Sequence, residues 1–261
     1  MTARRKRSAG PASLLRSVAF AVFQFVVTPP YAIAVLALFW LPPIQRYRFI
    51  TWWCRMNLWG ARVLCGIRMQ VIGHENMPAA PHIVMSKHSS TWETLALTQV
   101  FPPVAFVAKK ELLAIPFFGW AFRFASPITI DRGAGQSAME QIAQQGRQRF
   151  AQGFWIVVYP EGTRIPAGTR VKYKTGGARL AREMDVPILP VAHNAGWLWP
   201  KGFLGKRPGT VTLSIGPPIA PAGREPSAII LEAQEWIENE VARLGKPAEL
   251  MQAADAVVRT R

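Results

Sequence analysis

The chain is short of cysteine, of acidic residues and of the local patterns that mark a metal site or a serine nucleophile. Only Cys54 and Cys65 occur among 261 residues, both in a tryptophan-rich apolar stretch. They exclude a disulfide framework, suit a reducing compartment and are expected simply to pack. No Cys-x2-Cys pair exists, and His74, His82, His88 and His193 lack the spacing of zinc ligands, so neither a metal nor any other cofactor is expected. No Gly-x-Ser-x-Gly elbow is present to raise a serine to a nucleophile. Internal repeats are absent as well, which removes solenoids and propellers.

Acidic residues are outnumbered, with 31 Lys/Arg against 15 Asp/Glu and a net charge of +16. The excess is uneven, because residues 201–261 carry eight basic against seven acidic groups. So much positive charge suits nucleic acid or an anionic membrane surface. Ten tryptophans and a half-hydrophobic composition favour anionic membrane lipids as partners, and no nucleic acid is expected. The length allows one sizeable domain plus an appendage, with a core that needs no covalent staples.

Residues 1–16 read as a basic arm, each charge contributing about 1 kcal/mol near anionic headgroups. Residues 17–41 are apolar apart from Gln24 and Thr28, and end without the small-residue pattern of a signal-peptide cleavage site. Pro29-Pro30 predict a break, with Thr28 as cap and Pro29 in the first helical turn. That gives helices near 14–28 and 29–41, each shorter than the ~20 residues a bilayer requires. Basic flanks on both sides (Arg4 to Arg7 and Arg16; Arg46, Arg48 and Arg55) keep both ends on the cytoplasmic face, as in a re-entrant hairpin. One kinked span is the alternative. Residues 45–66 read as a longer helix whose Trp52, Trp53 and Trp59 face either the headgroups or the main domain.

From Met69 the pattern alternates. Strands are predicted at Met69–Ile72, Ile83–Ser86, Val104–Val107, Pro127–Ile130, Trp155–Tyr159, Pro187–Ala192 and Thr210–Ile215. Helices are predicted near 91–100, 136–151, 175–184 and 226–243, with a weak helix or tail over 244–261. The alternation predicts an α/β domain over 67–243 with a largely parallel sheet flanked by helices, behind a membrane-associated helical region at 17–66. In such sheets ligands sit beyond the carboxyl ends of the strands.

Two strand ends carry chemistry. Ile83-Val84-Met85-Ser86 runs out at Lys87-His88-Ser89-Ser90-Thr91-Trp92-Glu93, and Trp155 to Tyr159 stops at Pro160-Glu161-Gly162-Thr163-Arg164. A histidine steadied by a carboxylate can take a proton from a hydroxyl. Ser90 and Glu93 equally form a capping box that needs no catalysis.

With Ala108-Lys109-Lys110-Glu111-Leu112, Ile115 to Gly119, Ile130-Asp131-Arg132 and Val186 to Pro190, these blocks give the chain its resemblance to the glycerolipid acyltransferases typified by 1-acyl-sn-glycerol-3-phosphate acyltransferase. The resemblance runs from about Ile83 to Pro190 and departs at one place, Glu93 standing where the family's His-x4-Asp motif has aspartate. It implies transfer of a fatty acyl group from acyl-CoA or acyl-carrier protein to the sn-2 hydroxyl of lysophosphatidic acid. It also implies a membrane-embedded N-terminal helical element. His88 would be the general base and Glu93 its partner. Lys109 and Arg164 would bind the acceptor phosphate, with Lys110 the adjacent alternative to Lys109. Gly162 would permit close backbone approach, beside Thr163 and Glu161 in the phosphate site, and Glu161 would orient Arg164 or contact the glycerol unless it is only a turn carboxylate. Asp131 and Arg132 would support that site, and Pro190 would shape the acceptor pocket. Another lysolipid acceptor, or an inactive lipid-binding homologue, stays open. Phe117, Phe118, Trp120 and Phe122 are expected to line an acyl tunnel or to pack in the core.

Overall fold

The apolar runs Ile83-Val84-Met85, Trp155 to Val158 and Ile188 to Ala192 become neighbouring strands whose residues are all buried, because helices cover both faces of the sheet. The computed structural model describes residues 10–130 and 137–252. Its sheet is built from β1 (Ile67–Ile72), β2 (Ile83–Ser86), β3 (Val104–Lys109), β4 (Ile128–Ile130), β5 (Trp155–Val158), β6 (Ile188–His193) and β7 (Gly209–Ile215). The spatial order is β1-β7-β6-β2-β5-β3-β4. Six of the seven predicted strands shift by no more than two residues at either end, and β2 matches. All neighbours pair in parallel except β6 and β7, so β1 and β7 run against the other five.

The helices are α1 (Pro11–Leu36), α2 (Pro43–Cys65), α3 (Trp92–Val100), α4 (Phe118–Phe124), α5 (Ser137–Ala151), α6 (Gly176–Met184) and α7 (Pro226–Leu244). Strand β2 lies between β5 and β6, and the chain winds outward to both sides of it. This is the switch point at which α/β sheets open a crevice. Register then sets the site. Met85 pairs with Val158, and three residues beyond that pair each strand delivers a functional side chain, His88 on one and Glu161 on the other.

The N-terminal region differs from expectation. There is no break at Pro29-Pro30: α1 runs through both prolines, and the hairpin forms between α1 and α2. A proline inside a helix costs about 3 kcal/mol or more. Burial of Val35 beyond the pair returns roughly 1.5–3 kcal/mol, and the Tyr31–Phe49 ring stack adds roughly 1 kcal/mol. Directional bonds to α2 lie on both sides of the pair: Gln24 Nε2 to Asn57 Oδ1 (2.9 Å), Trp53 Nε1 to Thr28 Oγ1 (3.2 Å) and Tyr31 to the Phe49 carbonyl. Thr28, expected as a cap, is thus an acceptor for Trp53. At 26 residues α1 is long and apolar enough to cross a bilayer.

The α1–α2 pair also belongs to the core. Phe20 is fully buried and meets Trp199 edge-on at 5.0 Å. On α2 the tryptophans divide: Trp53 packs against α1, whereas Trp52 and Trp59 stay exposed. Helix α4, absent from the predicted pattern, packs against α1 and α2, and Arg46 of α2 lies over the Phe124 ring at 5.0 Å.

Candidate active site

The loop from Lys87 to Thr91 joins β2 to α3 at the carboxyl edge of the sheet. Glu93, in the first turn of α3, is completely buried and turns back into this loop. Its Oε1 accepts from His88 Nδ1 at 2.8 Å and from the Ser89 and Ser90 amides at 3.0 Å each. Ser90 Oγ accepts the Trp92 amide at 3.0 Å. Capping and the histidine contact therefore coexist, one carboxylate serving the helix start and the imidazole together.

The electrostatics follow from burial. Burial pushes the Glu93 carboxyl up, but His193, His88 and the Ser90 amide outweigh it and hold the group below the usual carboxylate range. An ionised Glu93 assigns the His88 proton to Nδ1 and leaves Nε2 as the basic nitrogen. Tyr159 stacks on the imidazole with ring centroids 3.9 Å apart. Burial pushes its phenol far up, so it stays neutral and acts as an apolar wall. His88 itself keeps its side chain 16% exposed, which leaves it open to a reactant.

His193, at the end of β6, was not marked out by its sequence neighbourhood. It is buried, and burial pushes its pKa down against the opposing pull of Glu93. Its Nε2 donates to the Lys87 carbonyl at 2.8 Å, its Nδ1 accepts the Ala195 amide at 3.3 Å, and Nε2 stands 3.9 Å from Glu93 Oε2. It braces the start of the Lys87–Thr91 loop through the Lys87 carbonyl.

Glu161, expected beside the acceptor phosphate, turns inward instead. Its Oε2 accepts the His88 amide at 2.6 Å and its Oε1 lies 2.7 Å from Lys87 Nζ, a charge contact rather than a well-aimed hydrogen bond. Burial pushes its carboxyl to about 7, with Lys87 and His88 opposing the rise. A buried carboxylate so engaged would repel a phosphate, not hold it.

The remaining predicted residues divide. Arg164 is half-buried and donates to Thr91 Oγ1 at 2.7 Å, while the next amide, of Ile165, donates to the His88 carbonyl at 2.8 Å. Gly162 has φ +70°, and a Cβ there would lie 2.9 Å from Lys174 Nζ, which brings an unpredicted cation to the loop. Thr163 and Lys109 are exposed, Lys109 ending β3 on the same carboxyl edge. Pro190 is buried within β6 opposite Met85, its carbonyl accepting the Gly216 amide, so it braces the sheet. Asp131 and Arg132 lie outside the described residues. An open cavity of about 390 Å³ beside α4 is lined by Lys110, Glu111, Leu113, Ala114 and Arg123. Of the aromatics expected to line a tunnel or pack in the core, Phe117 and Trp120 are exposed, and Phe118 stacks on Phe122 at 5.5 Å. Among the described residues no cluster of three His, Cys, Asp or Glu side chains is arranged to hold a metal.

The family model described as "Acyltransferase" matches residues 68–194. A protein of Pseudomonas aeruginosa, 1-acyl-sn-glycerol-3-phosphate acyltransferase, is 45% identical over 208 residues, 78% of this chain and 81% of its own length. A Saccharomyces cerevisiae protein of the same name is 32% identical over 135 residues, covering 50% of this chain and 44% of that protein. The crystal structure of the 1-acyl-sn-glycerophosphate (LPA) acyltransferase PlsC from Thermotoga maritima superposes with a TM-score of 0.72 at 25% identity, over 89% of this chain and 95% of that one.

Proposed function

Because the chain belongs to the 1-acyl-sn-glycerol-3-phosphate acyltransferase family, we propose a mechanism for the activity that membership carries. The protein transfers a fatty acyl group to lysophosphatidic acid and makes phosphatidic acid. The donor is an acyl thioester, of coenzyme A or acyl-carrier protein. His88 Nε2 takes the proton of the sn-2 hydroxyl as its oxygen attacks the thioester carbonyl. The tetrahedral intermediate collapses with loss of the C–S bond, and the imidazolium returns its proton to the departing thiolate. Glu93 offsets the positive charge on His88 meanwhile. No enzyme nucleophile is needed, since the donor is already activated. Arg164 and Lys109 bind the acceptor phosphate, the former as a planar fork and the latter as a point charge.

The observation that supports this reading best is the 2.8 Å contact between His88 Nδ1 and a buried carboxylate held in its ionised form. His88→Ala should lower turnover about 10²–10⁴-fold while lipid binding and folding survive. A purified variant at near wild-type rate would show that another group is the base.

The exposed apolar side chains of α1, among them Val22, Phe25 and Val26, support anchoring in a membrane, and the basic flanks Arg16, Arg46, Arg48 and Arg55 favour anionic lipid and the cytoplasmic face. Flotation with anionic vesicles tests the anchor. A Phe25→Glu/Val26→Glu variant that floats as well as wild type would move it elsewhere.

A further inference from the structure

Lys87, the residue before the base, has a side chain only 2% exposed, and no step of the reaction uses it. An unpaired buried ammonium is costly, and this one is paired twice. Its Nζ lies 2.7 Å from Glu161 Oε1 and 2.6 Å from Glu238 Oε1. Glu238 belongs to α7, far along the chain. The Tyr173 hydroxyl donates to the same Glu238 oxygen at 2.8 Å, and Arg170 Nε stands 3.6 Å from the other. One ammonium thus joins the end of β2, the end of β5 and the middle of α7.

The backbone it joins is the one that carries His88. The Lys87 amide donates to the Val191 carbonyl, and the Lys87 carbonyl accepts from His193 Nε2 and Ser86 Oγ. The His88 carbonyl accepts the Ile165 amide. The His88 amide has the Glu161 carboxylate as its acceptor, so its hold depends on a side chain that must stay turned towards it. Lys87 is what turns it.

We propose that Lys87 is a positioning residue for acyl transfer: its buried ammonium, shared by Glu161 and Glu238, holds Glu161 against the His88 amide and so keeps the imidazole seated between Glu93 and Tyr159. Helix α7 thereby becomes part of the catalytic apparatus. The inference rests on His88 as the base. Without the ammonium, two buried carboxyls face each other. Burial already pushes Glu161 to about 7, so it takes a proton, hydrogen-bonds to Glu238 and leaves the His88 amide. The groups facing Glu161 are Lys87, His88, Tyr173 and, across the ammonium, Glu238.

The test uses the full chain in mixed micelles with acyl-CoA and lysophosphatidic acid. Lys87→Met should lower kcat about 100-fold and change the acceptor KM by less than about threefold. The acid limb of its kcat profile should move alkaline by about one pH unit, because Glu161 must lose a proton before the loop re-forms. Glu238→Gln keeps an acceptor for Lys87 and removes a charge; kcat should fall about tenfold at unchanged KM. If Lys87→Met does not fold, Glu238→Gln decides alone. Wild-type kcat and pH profile in the folded variant, or a loss carried by KM, overturns the proposal. His88→Ala is measured alongside: if it is inactive while Lys87→Met is normal, the base stands and the positioning role falls. If His88→Ala is active, the assignment of the base fails first.

Discussion

The two halves of the site are built differently. On the proposed proton-transfer half, His88, Glu93, Glu161 and Lys87 are held by short bonds, and all but His88 are buried. On the proposed phosphate half, Lys109 and Thr163 are exposed, and Arg164 donates to Thr91. A base must hold its tautomer and aim before substrate arrives, since a small misplacement costs rate steeply. A phosphate brings its own charge and can gather mobile cations as it binds. In the proposed mechanism one half is preorganised and the other is completed by the acceptor, and variants in each half should fail differently.

After loss of the base itself, the largest effect should come from Glu93→Gln. The amide keeps the length and one acceptor oxygen, so the helix start survives. The charge opposite His88 is gone, and kcat should fall about 10²-fold or more with little change in unfolding midpoint. Glu93→Asp should be partly active, because retracting the carboxylate by one methylene stretches its three contacts to residues 88–90. If Glu93→Gln turns over like wild type, Glu93 is only a cap.

Arg164→Ala comes next and should act on the other half. Losing a charge-assisted contact costs on the order of 1.5–3 kcal/mol, an increase of about 10–100-fold in acceptor KM. Steady-state kinetics with acceptor varied at saturating donor read this out. A fall in kcat at constant KM would make Arg164 part of the preorganised half.

The smallest effect concerns stability. In the folded chain the Glu161 carboxyl sits at about 7 rather than 4.5. The folded state therefore retains a proton that the unfolded chain releases, and this contribution to stability is lost as pH rises from 4.5 through 7. Glu161→Gln removes the ionisation, so its melting temperature relative to wild type should climb between about pH 5 and pH 8. A constant difference would show that Glu161 does not titrate there.

The legible and illegible parts divide along similar lines. Strands β2, β5 and β6 were readable because burial on both faces leaves an unbroken apolar run, and the His88–Glu93 contact was readable because five residues span only the loop and the first turn of α3. Pro29-Pro30 misled because the cost of a proline is local, while the burial of Val35 and the bonds to α2 that offset it are not. Helix α4 is short and aromatic, with no cap to announce it. The inward turn of Glu161, and the presence of His193 and Glu238 near the base, come from strand order and from α7 packing on β6. No local pattern in the chain encodes them. A lysine before the histidine, next to an apolar strand, was the one available hint.

The most direct test of the difference between the halves leaves the acceptor out. With acyl-CoA alone, slow thioester hydrolysis by water activated at His88 needs the base and not the phosphate site. Release of free coenzyme A should continue at the wild-type rate in Arg164→Ala and be largely lost in Glu93→Gln. Equal loss in both variants would contradict the account, because the base would then depend on the cations that it is said to precede.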